Sequence, residues 1–409
     1  MSFNKLKKSS IILLGLAVKI IALVVRPNKD YWVFGAGKGE DFIDNSKFLF
    51  LHVAHHNRKI HPIWITTNKR VISQLRTEGY ECYHNYSAKG IFSILKAGVG
   101  ILCTNRSDIH FFQPSKDKIL VNLFHGMPIK KIIYDFEGHN LKRNPFYDKI
   151  WNVFAATSKW EDSRLIPSTA EFFNESLSTA FKTENVYVTG LPRNDIFFYD
   201  THVKEKFKGI DNHKKWKLSD KRIVSYLPTH RKFGKGKINP IPFIDDQEMQ
   251  DFLSNANTIL LYKAHYNYAI HKDRIPDEKS VMNISHWDID TQYLLKISDV
   301  LITDYSSCLF DFLLLDRPIL LYFYDNYAIE DNHLYFDIED PHYAPGPIIR
   351  NQKELKRILV GVIETGDPFR QKRQKFVQKY HKFRDGKSSL RIVESINNIL
   401  SDRGDLSDV

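Results

Sequence analysis

The chain has 409 residues, of which 43% are hydrophobic and 26% are charged. This length is too great for one hydrophobic core and suits two domains of roughly 150–200 residues each, and the composition excludes a largely disordered protein. The net charge of +11 favours anionic partners such as phosphorylated substrates or anionic lipid. No zinc-ligand spacing, RNA-binding signature or basic repeat accompanies the charge, so we expect no nucleic-acid partner.

The first 28 residues are predicted to associate with a membrane. Three lysines among the first eight residues precede an apolar run over 11–25, which Lys19 interrupts. The run has no small-residue cleavage site and is shorter than the ~20 apolar residues that a spanning helix needs. We expect a helix in the membrane interface whose lysines reach the headgroups, with the rest of the protein on the cytoplasmic side. A buried core helix is the alternative.

From residue 31 the sequence alternates between short apolar runs and longer helical segments, which predicts doubly wound α/β domains. In the first half, strands are predicted over 31–34, 61–66, 98–104, 118–124, 150–157 and 186–189. Helices are predicted over 45–57 and 71–79, and a polar, helix-rich region ends near Thr183. The Gly-rich turn at 35–39 has neither the dinucleotide nor the P-loop spacing, so a simple turn is favoured.

The second half repeats this pattern after a lysine-rich segment, 204–221, where we place the domain boundary. Strands are predicted over 223–227, 258–263, 281–284, 300–303 and 319–322. A helix is predicted over 288–297, an apolar run of helical length follows the turn at 304–307, and a basic helical tail covers 353–400. Cys82, Cys103 and Cys308 are isolated and predict reduced thiols in a cytoplasmic environment.

Several predicted strands end in residues that can bind phosphate or move a proton. His125 follows strand 118–124, at the strand end where open α/β sheets bind ligands, and histidine suits a general base near neutral pH. Arg193 follows a Gly-Leu-Pro turn and suits bidentate phosphate contact, although Asn194 or Asp195 could instead cap a helix there. Each feature alone is more often structural.

Three strand ends of the second half carry similar residues. The sequences are Pro-Thr-His-Arg at 228–231, Lys-Ala-His at 263–265 and Asp-Tyr-Ser-Ser at 304–307. Ser306 and Ser307 are suited to cap the following helix, whose N-terminus would favour an anion. One such coincidence would mean little, whereas several together indicate a site.

These motifs resemble the CDP-glycerol glycerophosphotransferase family, whose members build the glycerol- or ribitol-phosphate chains of teichoic acids and some capsules. The resemblance covers nearly the whole chain after residue 30. It rests on Trp-Val-Phe-Gly at 32–35, Asp-Asn-Ser-Lys at 44–47, His-Gly-Met-Pro-Ile-Lys at 125–130, Gly-Leu-Pro-Arg-Asn-Asp at 190–195, the three strand ends above, Phe-Asp at 310–311 and Ala-Pro-Gly-Pro at 344–347.

The resemblance implies a GT-B-like fold of two Rossmann-like domains that face each other across a cleft. Residues 1–28 would be the membrane-associating segment, 29–203 the acceptor domain and 204–409 the donor domain with its C-terminal helices. The implied reaction transfers glycerol phosphate from CDP-glycerol to a hydroxyl of a lipid-linked acceptor at the cytoplasmic membrane surface and releases CMP.

The family's functional positions map onto this sequence residue by residue. His125 matches the proposed catalytic base, and His265 would contact the pyrophosphate or assist the leaving CMP. The active-site loop continues through Gly126, Met127, Pro128 and Ile129. The positions that match CDP-polyol ligands are Arg193, Thr229, His230, Arg231, Lys263, Ala264, Ser306, Ser307 and Asp311. His230 and the Lys263-Ala264 pair depart from the family's common Trp and Arg-Met, which leaves the exact donor open.

Three alternatives remain at this point: the same chemistry with CDP-ribitol, a GT-B glycosyltransferase that uses a nucleotide sugar, and a non-catalytic membrane-bound assembly factor. The compact length favours addition of a single unit over polymerisation. No Asp-x-Asp pair or carboxylate cluster is present, and His52, His55 and His56 lack accompanying ligands. We therefore predict no obligatory metal or other cofactor, and leave open a divalent cation without dedicated ligands.

Overall fold

The described residues form two compact units, each built around its own parallel β-sheet. The computed structural model describes residues 18, 21–22, 24–109, 118–136, 162–199, 218, 220–229, 242–264, 280–287, 289–325 and 334–404. The first unit comprises the described residues of Met1–His125, Ile133–Asp195 and Lys387–Val409. The second comprises those of Gly126–Ile132 and Ile196–Gly386. The predicted α/β class with parallel sheets is confirmed.

The first unit contains a five-stranded parallel sheet with the order β3-β2-β1-β4-β5. Its strands are β1 (Asn28–Phe34), β2 (His61–Thr66), β3 (Cys82–His84), β4 (Ala97–Leu102) and β5 (Ile119–Asn122). The helices that follow β1, β2 and β3 are α1 (Asp44–His56), α2 (Lys69–Thr77) and α3 (Ala88–Lys96). Strands β4 and β5 are buried along their whole length, because helices cover both faces of a doubly wound sheet.

Two short strands extend the first unit beyond β5. They are β6 (Ile166–Ser168) and β7 (Val186–Val188), which pair in parallel and are connected through α4 (Asn174–Phe181). A parallel bridge between Val121 and Leu165 places β6 beside β5. The predicted strand 186–189 is confirmed as β7. The sequence predicted only a helix-rich region where β6 lies, because its three residues show no strand periodicity. The predicted strand 150–157 lies outside the described residues.

The second unit contains a six-stranded parallel sheet with the order β10-β9-β8-β11-β12-β13. Its strands are β8 (Arg222–Leu227), β9 (Thr258–Tyr262), β10 (Val281–Asn283), β11 (Val300–Thr303), β12 (Ile319–Tyr322) and β13 (Ile348–Ile349). Its connecting helices include α5 (Gln247–Asn255), α6 (Thr291–Ile297) and α7 (Cys308–Leu313). The chain therefore leaves from β8 toward one edge and returns through β11 toward the other.

The basic C-terminal tail forms three helices that divide between the two units. They are α8 (Gln352–Thr365), α9 (Arg370–Tyr380) and α10 (Ser388–Gly404). Leu355 and Leu359 of α8 belong to the core of the second sheet, whereas Ile392 and Ile396 of α10 belong to that of the first. The sequence placed 387–404 with the donor half, so this assignment differs from the observed packing.

The carboxylate of Asp195 explains where α10 begins. Its two oxygens accept hydrogen bonds from the backbone N–H groups of Ser388 and Ser389, at 2.9 and 2.8 Å. The first N–H groups of a helix have no partner within the helix, so this carboxylate stabilises its N-terminus. Asp195 does cap a helix, as one interpretation of the sequence allowed, but the helix lies 193 residues further along the chain.

The N-terminal segment predicted to associate with a membrane lies mostly outside the described residues. At its described positions, Val18, Ala22 and Val25 pack with Ile91 and Leu95 of α3. Within the described part of the chain, no helix is both long enough and apolar enough to cross a bilayer.

Candidate active site

The chain makes an unusual turn directly after β5 and thereby presents His125. Phe124 adopts the left-handed region with φ +50°, which is unfavourable for a bulky residue, and Gly126 follows with φ +135°. His125 lies between them and is exposed to solvent, although its neighbours are buried. The strained turn thus places an accessible imidazole at the C-terminal end of the sheet, where the sequence predicted it.

Two asparagines hold the strained backbone of Phe124. The Asn122 side-chain oxygen accepts a hydrogen bond from the Phe124 N–H at 3.1 Å. The Asn45 side-chain nitrogen donates to the carbonyls of Phe124 and Leu123, at 2.8 and 3.3 Å. Because unfavourable φ/ψ values persist only where surrounding contacts determine them, these bonds set the direction in which His125 points.

Arg193 contacts the same turn from the segment that follows β7. Its Nη1 donates to the carbonyl oxygen of His125 at 2.8 Å and to Oδ1 of Asp44 at 3.0 Å. Its backbone N–H donates to the side-chain oxygen of Asn45 at 3.1 Å. The structure therefore brings His125 and Arg193 together within the first unit, and it adds Asp44 and Asn45 from the start of α1.

The surroundings of His125 favour the neutral imidazole. Crowding by protein atoms lowers the pKa of His125 below the usual histidine value of 6.5, Asp44 opposes this shift, and Arg193 reinforces it. The imidazole also lies against the Phe124 ring, with 4.0 Å between the ring centres. A neutral, accessible histidine can accept a proton at neutral pH.

The loop that continues from His125 is fixed by residues of the second unit. Gly126, Met127, Pro128 and Ile129 are buried. The Ile129 carbonyl accepts a hydrogen bond from the Tyr335 N–H at 2.9 Å. An antiparallel bridge between Lys130 and Leu334 adds a second connection. These four predicted site residues therefore form a fixed loop.

In the second unit, two predicted site segments meet where β8 and β11 lie side by side. Oδ1 of Asp304, after β11, accepts hydrogen bonds from the N–H and the hydroxyl of Thr229, after β8, at 2.8 and 2.6 Å. The strand order reverses between β8 and β11, and open α/β sheets bind ligands at such a switch point, beyond the carboxyl ends of the strands.

Ser306 and Ser307 follow Asp304 at this switch point and are both half-buried. The sequence predicted that they cap the next helix, but Ser307 makes no side-chain capping bond, and the Cys308 nitrogen lies 3.5 Å from the Ser306 hydroxyl. The helix itself, α7, has only six residues. Asp311 is almost fully buried within it. The helix N-terminus therefore does not use the Ser307 hydroxyl as a cap, and it contacts the Ser306 hydroxyl only at 3.5 Å.

Lys263 and Ala264 follow β9, the neighbour of β8 on its other side. The Lys263 ammonium donates to the carbonyls of Trp287 and Ile289, at 3.4 and 3.2 Å. The Ala264 N–H donates to the Ser285 hydroxyl at 2.8 Å. Lys263 and Ala264 thus connect the end of β9 to the segment that follows β10, at the carboxyl end of the sheet. His230, Arg231 and His265 complete the predicted set and lie outside the described residues.

Comparison with known proteins identifies the family. The family model for CDP-glycerol:poly(glycerophosphate) glycerophosphotransferases matches residues 17–398. The chain belongs to this family. The resemblance predicted from the motifs is thereby confirmed, and the protein is an enzyme of the glycerophosphotransferase class.

Two relatives agree with this glycerophosphotransferase assignment, and a solved structure has a similar fold. The teichoic acid glycerol-phosphate transferase of Staphylococcus aureus (strain NCTC 8325 / PS 47) is 28% identical over 90% of this chain and 93% of its own. The teichoic acid poly(glycerol phosphate) polymerase of Bacillus spizizenii (strain ATCC 23059 / NRRL B-14472 / W23) is 26% identical over 93% and 95%. The fold is similar to that of the wall teichoic acid polymerase TagF, with a TM-score of 0.73 and 20% identity over 98% and 99% of the two chains.

The sequence predicted that this glycerophosphotransferase needs no obligatory metal ion. Among the described residues, no group of three or more His, Cys, Asp or Glu side chains is placed to hold a metal ion. The prediction of no obligatory metal or cofactor stays a prediction.

Several residues that build the glycerophosphotransferase site were not assigned a role from the sequence. Asn122 and Asp304 belong to this group, as do Asp44 and Asn45, which appeared only as part of a motif. Tyr305 is another, since its hydroxyl donates to the buried carboxylate of Glu339, which also pairs with Arg350. A strand end that carries Asn or Asp would have been the usable signal, because such side chains bond nearby backbone groups.

Proposed function

We propose that the protein transfers glycerol phosphate from CDP-glycerol to a hydroxyl of a membrane-linked acceptor and releases CMP, in teichoic acid or capsule-type polymer synthesis. Family membership and the similarity to a glycerol-phosphate transferase along nearly the full length of both chains support this activity. The observation that carries the mechanism is His125, an accessible imidazole on a turn held from several sides.

The reaction transfers a glycerol-phosphoryl group from the phosphate of CMP to the hydroxyl of the acceptor. The acceptor hydroxyl oxygen forms a bond to the β-phosphorus of CDP-glycerol while the bond from that phosphorus to the bridging oxygen breaks, and CMP leaves with the electron pair. His125 takes the proton of the attacking hydroxyl. Such reactions depend mainly on positioning and on neutralisation of phosphate charge, so a fixed base is what the first unit needs to supply.

The second unit supplies the proposed donor site. Thr229, Ser306 and Ser307 would contact the phosphates at the switch point between β8 and β11, and Asp311 would accept a hydrogen bond from a substrate hydroxyl. His265 is assigned to the pyrophosphate or the leaving CMP, and His230 and Arg231 to the donor, from the family motifs alone. The proposed reaction thus takes its base from the first unit and its donor-binding residues from the second.

The experiment that tests this function replaces the proposed base. We expect His125→Ala to lower CMP release from CDP-glycerol by about 10²–10⁴-fold, the usual contribution of a general base, with the far-UV spectrum and melting temperature unchanged. His342→Ala is the matched control, because the His342 side chain is 88% exposed and lies outside the site. Activity of His125→Ala within a few-fold of the wild type would reject the base assignment.

The donor and the product length are separated by the same assay. CDP-glycerol, CDP-ribitol and nucleotide sugars are each offered with a lipid-linked acceptor, and the product is sized. Transfer of ribitol phosphate or of a hexose would replace the proposed donor, and the absence of any CMP release would favour a non-catalytic assembly factor. A one-unit product would identify a primase-like enzyme, and a ladder a polymerase.

Association with the cytoplasmic face of the membrane is part of the proposal. Phe92 of α3 is 52% exposed, and Lys89 and Lys96 lie on the same helix face at spacings of three and four residues. Val24, in the segment that packs beside α3, is 79% exposed. Exposed apolar side chains flanked by lysines favour the interface of an anionic bilayer.

A further inference from the structure

We infer that His381 is a positioning residue for Asp311, which it holds through the backbone of α7. The inference rests on the proposed function, in which Asp311 accepts a hydrogen bond from a hydroxyl of the donor substrate. His381 directly follows α9 and was not singled out from the sequence, where it lies within the basic tail.

The His381 side chain reaches α7 from the end of α9. His381 is 4% exposed, and its Nε2 lies 2.7 Å from the carbonyl oxygen of Phe310. Because a carbonyl oxygen only accepts, Nε2 carries the proton and donates it. Burial lowers the pKa of His381 to about 4, so at neutral pH the imidazole is neutral and its single N–H is the one that bonds Phe310.

The Phe310 carbonyl uses this donor because α7 tightens at its C-terminal end. In a regular α-helix that carbonyl would accept from the N–H of Leu314, four residues further on. Leu314 instead donates to the Asp311 carbonyl at 3.2 Å, and the next two residues keep the same three-residue spacing. His381 therefore replaces the backbone donor that the tightened turn takes away from Phe310.

The peptide unit that His381 holds leads directly into Asp311. A peptide unit is planar, so a bond that fixes the Phe310 carbonyl also fixes the position of the Asp311 Cα. Asp311 is 1% exposed and lies one turn after Ser307. The direction of its short side chain consequently depends on the orientation of this peptide.

The neighbouring contacts between α7 and α9 are of a different kind. The rings of Phe310 and Tyr380 pack with 4.9 Å between their centres, and the Tyr380 hydroxyl donates to the Tyr343 carbonyl at 3.1 Å. Apolar burial is non-directional, whereas a hydrogen bond to a carbonyl depends on its direction. Tyr380 thus joins the two helices, and His381 orients the α7 backbone.

The other end of the segment that contains both serines and Asp311 has a separate support. The Tyr305 hydroxyl, just before the serines, donates to the buried carboxylate of Glu339. Loss of the His381 bond should therefore displace Asp311 more than the serines. The expected effect is a weaker grip on the donor that is smaller than the effect of losing both serine hydroxyls.

The first test measures binding of CDP-glycerol to the full chain by calorimetry, together with kcat for CMP release. We expect His381→Met, which keeps the volume but has no donor, to raise Kd about tenfold and to leave kcat within about threefold. His381→Gln should restore most of the affinity, because its amide nitrogen can take the place of Nε2.

Tyr380→Phe is the matched control for this binding experiment. It removes one side-chain bond to a carbonyl at the same end of α9 and leaves the Phe310 carbonyl with its donor. Equal Kd values for Tyr380→Phe and His381→Met, or no recovery in His381→Gln, would overturn the inference. If His381→Met does not fold, His381→Gln against His381→Asn gives the same contrast, since the shorter amide does not reach as far.

The second test is a double-mutant cycle with Asp311→Asn. If His381 acts through Asp311, His381→Met should raise Kd much less in the Asp311→Asn background than in the wild type. An equal factor in both backgrounds would reject the positioning role, because the two residues would then act on the donor independently.

The outcomes separate this inference from the proposed function. If the wild type neither binds CDP-glycerol nor releases CMP, the proposed function fails. If the wild type does both but the cycle is additive, the function stands and the role of His381 is rejected. If Asp311→Asn binds CDP-glycerol as tightly as the wild type, Asp311 is not a donor ligand and the inference falls with that assignment, while the activity stands.

Discussion

The two sheets share a strand order but differ at the place where that order reverses. In the first sheet, the reversal lies between β1 and β4, and the Asp108 carboxylate occupies it. This carboxylate accepts hydrogen bonds from the N–H groups of Lys38, Cys103 and Thr104, at 2.8, 3.0 and 2.6 Å. Gly35 passes so close that an added Cβ would lie 2.1 Å from the Asp108 carbonyl oxygen. The N–H groups that could bind a phosphate are already used there.

In the second sheet, the reversal lies between β8 and β11 and is lined by hydroxyl groups. Asp304 directly follows β11 and accepts both hydrogen bonds from Thr229 through Oδ1, and half-buried Ser306 and Ser307 come next. The same topological position is thus closed by a carboxylate in one unit and lined by serines in the other. Strand order locates a possible site, and the residues after the strands decide its use.

The first unit differs again in where its functional residue lies. His125 follows β5, one strand away from the closed reversal at β1 and β4. The helices before the reversing strands differ as well: α3 exposes Phe92, whereas Tyr293, Leu294 and Leu295 of α6 are buried. From this comparison we assign the catalytic base and the proposed membrane-facing helix to the first unit, and the binding of the donor phosphates to the second.

The largest change in activity that tests this division is expected when Ser306 and Ser307 are replaced. We expect Ser306→Ala combined with Ser307→Ala to lower kcat/KM for CDP-glycerol at least about 100-fold, since each hydroxyl bond to a charged group contributes about 1.5–3 kcal/mol. Ser107→Ala, beside Asp108 at the first reversal, is the matched control and should leave kcat/KM unchanged. Steady-state CMP release over a range of CDP-glycerol concentrations measures both.

A reversed result would break the comparison. If Ser107→Ala raised KM for CDP-glycerol as much as the double serine variant, the first reversal would also contact the donor. If the double variant lost kcat alone, the serines would act on the transition state or the acceptor rather than seat the donor.

A smaller effect is expected for Asp108, and on stability instead of catalysis. Asp108→Ala leaves the N–H groups of Lys38, Cys103 and Thr104 without their acceptor, which should lower the free energy of unfolding of the first unit by about 3 kcal/mol. Urea unfolding followed by near-UV circular dichroism measures it. Asp340→Ala is the control, because that carboxylate is 40% exposed. Unchanged stability with a raised KM would make Asp108 part of a substrate site.

Much of the fold was accessible from the sequence because parallel strands are short, buried and apolar. The predicted bounds 61–66, 300–303 and 319–322 are those of β2, β11 and β12. Strand β3 and helix α3 were not predicted, since Cys82–His84 is short and polar at one end. The final helix was predicted to belong to the second half, because its place in the core that also contains Trp32 and Val121 depends on contacts across most of the chain.

The candidate site was predictable only to the level of strand ends. His125 was singled out because its residue type and its place after a buried strand both suit a base. The role of Asn45 was not accessible, since it depends on bonds to Phe124 and Arg193, 79 and 148 residues away. Local sequence cannot indicate partners that are so distant along the chain. It also predicted a capping hydrogen bond for the Ser307 hydroxyl, which the structure does not contain.

The smallest effect concerns the surface that distinguishes α3 from α6. We expect Phe92→Asp to weaken binding to vesicles of phosphatidylglycerol and phosphatidylethanolamine about tenfold, because burial of a half-exposed aromatic ring stabilises by about 1.5 kcal/mol and the new carboxylate is repelled by the anionic surface. Co-sedimentation at fixed ionic strength measures it. Leu390→Asp, on a residue of α10 that is 41% exposed, is the control for a change of charge alone. Equal loss in both variants would mean that net charge governs binding. No loss in either would remove α3 from the membrane interface and leave residues 1–28 as its sole proposed anchor.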